Sequence, residues 1–271
     1  MFKTLNLIFI LIFCVHNGWS QSVGNAVNLE TLWQFQSESF SERKLLPTSE
    51  GIIVSLTENK FILLDADKGE ILWTIEVAGE VISEPFADED FLFFPTSRLN
   101  DNSIIKKFSL KTGIQIGTET KVQNTAQNLN ASDNVIKITS QNNTIKKNTL
   151  DKVIWKTKLG GSINDILINK YGILVSSSDN YLYQLNKKNG NKIWKIRFKN
   201  KVLGSNLLNE NVGVVNIYAE NKVQIIDVQK GKLNGFFLLE ENEFTVNKPL
   251  FIKDKVLLQT NVRIICLKLK K

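Results

Sequence analysis

The sequence predicts an all-β fold, a six-bladed β-propeller built of four-stranded blades, and two observations carry that expectation. The first is a beat in the tryptophans. Trp33, Trp73, Trp155 and Trp194 are separated by 40, 82 and 39 residues, so the middle gap is two periods of about 40. The second is that each period holds four short runs rich in β-branched and apolar residues, divided by turn residues, with no sustained helical period. Four strands per repeat of about 40 residues is the pattern of propeller blades.

From the N-terminus, residues 1–20 read as a secretory signal peptide. Lys3 gives the positive start, Leu5 to Val15 is an apolar run broken only by Asn6, and Gly18 and Ser20 set small residues before a cleavage point at Gln21. The run is too short to span a bilayer and no later segment is long and apolar enough, so no transmembrane segment is expected. Phe13 precedes Cys14 where a lipoprotein signal needs a small residue, which favours a plain cleaved leader over a lipid anchor. A periplasmic or secreted location follows. Residues 21–28 are a short linker and 29–271 the propeller domain.

Within that domain the first blade spans 40–77, with strands at 43–48, 51–56, 60–65 and 70–76. Asp65-Ala-Asp-Lys-Gly69 is a turn in which Gly69 supplies the positive φ of a tight connection. The spacing recurs as Ser109, Gly113, Gly117, as Asn186, Gly190, Trp194, and as Asp227, Gly231, Gly235. The copy at Thr149 to Trp155 is two residues shorter and has no glycine. Gly117 and Gly235 stand where tryptophan is missing, so those two units are expected to dock less firmly. The remaining blades run 81–120, 124–159, 162–199 and 202–239, opening with strands such as Val81-Ile-Ser-Glu-Pro-Phe, Ser162-Ile-Asn-Asp-Ile-Leu and Val246-Asn-Lys-Pro-Leu-Phe in the last unit. That unit holds only three strands, at 246–251, 255–260 and 262–269. The N-terminal run Thr31-Leu-Trp33-Gln-Phe lacks the three strands that should precede it. Joined as the outer strand of the C-terminal blade, it closes the ring.

Composition excludes several chemistries. After the leader the chain has one cysteine, Cys266, and no histidine, because His16 lies in the leader. An internal disulfide, thiolate–imidazole catalysis and zinc sites of His and Cys are therefore ruled out. Net charge is +7, but unevenly placed. Residues 30–90 hold fourteen Asp and Glu against four Lys and Arg, and residues 146–201 hold thirteen Lys and Arg against three Asp. Solvated strand faces account for this; so does a molecule with an acidic and a basic side that orients a partner.

Phe61-Ile-Leu-Leu-Asp-Ala-Asp-Lys-Gly-Glu-Ile-Leu-Trp73 and Tyr181-Leu-Tyr-Gln-Leu-Asn-Lys-Lys-Asn-Gly-Asn-Lys-Ile-Trp194 resemble the pyrroloquinoline-quinone (PQQ) type propeller repeat. The resemblance covers almost all of 29–271. It implies that Trp33, Trp73, Trp155 and Trp194 dock each blade on its neighbour. It also implies one of two functional classes. Quinoprotein dehydrogenases bind PQQ and calcium in the ring centre, but are longer, eight-bladed, and in the alcohol dehydrogenases use an adjacent cysteine pair that is missing here. Non-catalytic scaffolds of the BamB type, from outer-membrane assembly, are similar in leader, repeat and lack of catalytic residues, although with eight blades.

Candidate sites remain sparse. Asp65, Ser109, Asn186 and Asp227 read as caps of their own turns. Asp65 to Glu70 lacks the later ligands of a calcium loop. Cys266, aligned with the position of Asp65 in the closing blade, reads as a small core residue. Gly69, Gly113, Gly190 and Gly231 are turn glycines. Ser97 to Asn102 is the longest insertion between paired strands, and Arg98 and Leu99 in it are the candidate partner contacts. Basic residues interleave with aromatics in 146–201, but no nucleic-acid-binding fold is recognisable. The expectation is a monomeric, non-enzymatic scaffold with no metal, no cofactor and no nucleic acid, binding a protein partner such as an outer-membrane assembly component. The alternative is a small-ligand or PQQ-binding propeller, a degenerate quinoprotein.

Overall fold

The computed structural model describes residues 29–37, 40–41, 43–97, 104–116, 120–121, 137–148 and 152–269, and these form strands and turns without a helix. The leader, the linker, Arg98, Leu99 and Gly117 lie outside the described residues. Strand β1 (Leu29–Gln36) comes first in the chain. Blade 1 is β2 (Leu46–Pro47), β3 (Ile52–Ser55), β4 (Lys60–Leu64) and β5 (Ile71–Glu76). Blade 2 is β6 (Phe86–Ala87), β7 (Phe91–Thr96), β8 (Ile104–Ser109) and β9 (Thr120–Lys121). Blade 3 shows β10 (Lys137–Gln141), β11 (Thr144–Asn148) and β12 (Val153–Lys158) among the described residues. Blade 4 is β13 (Ile163–Ile168), β14 (Ile173–Ser177), β15 (Tyr181–Leu185) and β16 (Lys192–Arg197). Blade 5 is β17 (Val202–Leu207), β18 (Val212–Ile217), β19 (Lys222–Asp227) and β20 (Lys232–Leu238). Blade 6 takes β21 (Leu250–Ile252), β22 (Lys255–Gln259) and β23 (Arg263–Leu269) from the C-terminus and β1 from the N-terminus, in the order β1-β23-β22-β21.

All neighbours within a sheet are antiparallel, and β1 pairs with β23 from Leu29 opposite Leu269 to Gln36 opposite Arg263. Middle strands are buried on both faces. Ile52 to Ser55 and Ile173 to Ser177 are buried without interruption, so they read as continuous apolar runs rather than alternating ones. Outer strands alternate, as in β16, because one face meets the next blade and the other meets water.

The core is a series of slabs between blades. Ile53, Phe61 and Leu63 of blade 1 pack on Leu92, Phe94 and Leu110 of blade 2. Blades 3 and 4 share a slab with Ile145 and Tyr183, and blades 4 and 5 one with Leu174 and Val215. Blade 6 packs on blade 1 through Trp33, Leu257 and Cys266 against Ile52 and Ile62. The slab between blades 5 and 6 has no indole, since Gly235 stands opposite Ile225 in the tryptophan's place. It still holds ten buried apolar side chains, including Leu29, Val214 and Leu267. Each contributes about 1.5–3 kcal/mol on burial, so one missing ring does not empty the contact.

The inner strands differ in length: β2, β6 and β21 are only two or three residues long, whereas β13 and β17 have six. The short ones fall at Pro47, Pro85 and Pro249, and proline has no N–H to give to a ladder. Cys266 does not occupy the position of Asp65. It faces Trp33, as Leu63 faces Trp73, and Lys268 stands where Asp65 would be. The two strands of that pair come from opposite chain ends, so no hairpin spacing fixes their register.

Candidate functional site

The four tryptophans make one repeated contact. The indole N–H of Trp33 donates to Ala66 O at 3.3 Å, that of Trp73 to Leu110 O at 2.8 Å, that of Trp155 to Lys187 O at 3.1 Å, and that of Trp194 to Val228 O at 3.2 Å. Each acceptor lies in the last hairpin turn of the next blade. The ring covers that turn's glycine. A Cβ on Gly113 would stand 3.0 Å from Trp73 and one on Gly190 2.5 Å from Trp155, while Gly69 and Gly231 are just as closely covered by Trp33 and Trp194. The same glycines have φ of 64–73°, where a side chain is strained regardless of space. A register shift just before each ring, as between Leu63 and Leu64 opposite Trp73, turns the indole toward its neighbour.

The turns are capped from within. Asp65 Oδ1 accepts from the N–H of Asp67 at 2.7 Å and of Lys68 at 2.8 Å. Ser109 Oγ, Asn186 Oδ1 and Asp227 Oδ1 accept equivalent bonds. These carboxylates and amides are engaged in the geometry of their own turns.

Nearer the centre, side chains of one blade bond to backbone carbonyls of the next. Asn164 Nδ2 donates to Val202 O at 2.8 Å, Asn206 Nδ2 to Pro249 O at 3.2 Å, and Asn216 Nδ2 to Asn247 O at 2.6 Å. Asn247 Nδ2 and Gln259 Nε2 continue to Arg43 O and Ser41 O. The Arg43 guanidinium forks onto Ser83 O at 2.8 Å and Val81 O at 2.5 Å. Most of these acceptors lie in the segments just before β2, β6 and β21, outside the strand ladders, and Val202 lies in β17; the belt supplies them with donors. It runs from blade 4 through 5, 6 and 1 to blade 2. Sequence reasoning missed it, although the amides sat in the quoted strand openings Ser162-Ile-Asn164 and Val246-Asn247.

Two ion pairs sit on the same framework. Lys248 Nζ reaches Asp165 Oδ1 at 2.9 Å across Gly204, linking blades 6 and 4 past blade 5. Arg263 binds Glu243 at both oxygens, 2.8 and 2.6 Å, and also Glu240 and Gln34. Burial pushes the Glu243 carboxyl up, but Arg263, Glu240 N–H and Thr260 more than offset it, so its pKa lies below the usual value. Cys266 is buried, and burial pushes its thiol up to about 12.

These residues do not suit a quinone and calcium ion. Asp165 is neutralised by Lys248, and no three His, Cys, Asp or Glu side chains converge as a ligand set among the described residues. Clefts lie at blade junctions instead, one of 620 Å³ lined by Asn200, Asn221 and Phe244 and one of 440 Å³ by Pro47 and Asp88. No helix of the described residues is long and apolar enough to cross a membrane.

The family described as outer membrane protein assembly factor BamB matches residues 20–145 and 101–236. The chain belongs to this BamB family of PQQ-like repeat propellers. Among solved structures it is similar to BamB from Moraxella catarrhalis, with 14% identity and a TM-score of 0.36, over 83% of this chain and 69% of that one. An uncharacterized protein of Methanocaldococcus jannaschii is 39% identical over 54 residues. That match takes up 19% of this chain and 6% of the length of that curated relative. In this member of the BamB family the repeated Trp–Gly contact and the amide belt both join neighbouring sheets.

Proposed function

We propose that this protein is a non-catalytic, exported propeller scaffold of the cell envelope, acting by protein–protein contact as a BamB-type factor. The match of 20–236 to the family described as an outer-membrane assembly factor carries the reading. In this reading residues 1–20 are removed on export, the six blades close into one ring, and the four tryptophans serve as docking groups. Partner contacts come from loops and blade edges, with Arg98 and Leu99 as the first candidates. The protein is a monomer and uses no cofactor. Supporting it, Asp65 and Asp227 cap their own turns and Asp165 is paired with Lys248.

The test is affinity capture from envelope extracts of the source cell, with outer-membrane protein levels compared between wild type and a deletion strain. Capture of an assembly component together with reduced outer-membrane proteins is the expected result. No captured component and unchanged levels would overturn it. A saturable thermal shift with PQQ and Ca²⁺ would select the ligand-binding alternative instead.

A further inference from the structure

The outer strands of the blades differ in one respect that packing does not require. After each indole the chain alternates, so the first and third residues beyond it point away from the next blade. In blade 3 these are Lys156 and Lys158, and in blade 4 Lys195 and Arg197, all exposed. The equivalent residues are Thr74 and Glu76 in blade 1, Gln34 and Gln36 in blade 6, and Phe236 and Leu238 after Gly235 in blade 5. No Asp or Glu occurs in β12 or β16. Ahead of each tryptophan, at the register shift, stands an exposed apolar residue: Ile154 at 40% and Ile193 at 50% in blades 3 and 4, and Leu32 at 40% and Leu72 at 50% in blades 6 and 1, where no cations adjoin it.

We infer that the outer rim of blades 3 and 4 is a docking surface for an anionic phospholipid bilayer. Charge complementarity favours it. Four cations on neighbouring strand edges, with no interleaved carboxylate, face the negative potential of such a surface, which attracts basic residues within about a Debye length. The acidic stretch at 30–90 lies in other blades and turns the molecule the same way. Lipid fits better than an acidic protein for two reasons. Three of the four cations are lysines, flexible point charges that suit mobile headgroups, whereas a fixed carboxylate array is better matched by arginine forks. Each cationic pair also adjoins an exposed isoleucine, and interfacial binding combines basic charge with apolar side chains at the headgroup boundary. The inference does not rest on the protein-partner reading, and either can fail alone.

The experiment is co-sedimentation of the exported form with vesicles of phosphatidylglycerol in phosphatidylcholine, and with pure phosphatidylcholine. The expected result is binding to the anionic vesicles only, weakening as salt is raised. The double variant Lys156→Glu/Lys195→Glu should lower the partition coefficient roughly a hundredfold. Lys111→Glu/Lys232→Glu, the same charge change in blades 2 and 5, should lower it much less. Circular dichroism checks the fold, and Lys156→Gln/Lys195→Gln serves if the charge reversal unfolds the protein. Absence of binding by the wild type, or equal loss in the blade 2 and 5 control, overturns the inference. Binding to polyglutamate with none to vesicles overturns it in favour of an acidic protein.

Discussion

Trp33 and Gly69 occupy each other's space: the indole lies where a Cβ on the glycine would stand. The contact joins a strand from the chain's beginning to a turn of blade 1. Gly69 also has a φ of 73°. Gly69→Ala therefore carries two penalties, about 1–2 kcal/mol for a left-handed alanine and about 1–3 kcal/mol for overpacking. Gly79 has a φ of 84° but its nearest neighbour to an added Cβ is 3.4 Å away. Gly79→Ala should show the backbone penalty alone. Denaturant unfolding of both variants separates the terms; equal losses would mean that the ring gives way freely.

Removing residues 29–36 deletes the outer strand of blade 6, with Trp33 and Phe35 from the slab against blade 1 and Leu29 from the slab against blade 5. Trp33→Ala alone should cost about 3–5 kcal/mol, and the strand deletion more, because it also uncovers the edge of β23. Thermal unfolding is the measurement. A truncated protein with an unchanged midpoint would show that blade 6 does not need its N-terminal strand.

What could be read from the sequence is what repeats. Trp73 and Gly113 recur at fixed offsets because blade-to-blade docking is the same local problem each time. The belt from Asn164 to Arg43 could not be read, since its acceptors are backbone carbonyls, which every residue carries and no residue type marks. Cys266 was misaligned because its cross-strand partner, Trp33, lies at the other chain end. The candidate contacts Arg98 and Leu99 came from loop length alone, and they fall outside the described residues.

The buried Cys266 thiol, with its pKa pushed up to about 12, is protonated and inaccessible at neutral pH. A thiol reagent at pH 8 should leave the folded protein unmodified, and labelling should follow unfolding as denaturant is added. Fast stoichiometric labelling of the native protein would contradict this burial.

Arg43 holds two carbonyls of blade 2 that the inner strand around Pro85 leaves unpaired, Val81 O and Ser83 O. Arg43→Ala should cost about 1 kcal/mol, because the bond to Val81 O is only part-buried and that to Ser83 O is exposed, so water can replace much of what is lost. Arg43→Lys should recover only part, because an ammonium lacks the planar fork. Hydrogen exchange offers a local readout. Amides of β6 and β7 should lose protection before those of β18 and β19, and uniform loss would point to a global effect instead.

Glu243 and Arg263 form the most buried ion pair of the described residues, with side chains 2% and 9% exposed. Breaking such a pair from one side costs about 3–5 kcal/mol, because the other charge stays buried alone. Glu243→Gln should approach that loss, and should also change the acid limb of the stability curve. The folded-state pKa of Glu243 lies below the 4.5 usual for a glutamate carboxyl. Its stabilisation is therefore fully present above the unfolded pKa and is lost as pH falls from there through the folded value. Between neutral pH and the start of that window the wild type and Glu243→Gln should differ by a constant amount. Below it the curves should converge, because the wild-type carboxylate must take up a proton that the amide never needs. Denaturant midpoints of both proteins from neutral pH into the acid range measure this, and parallel curves through the window would remove Glu243 as a source of acid sensitivity.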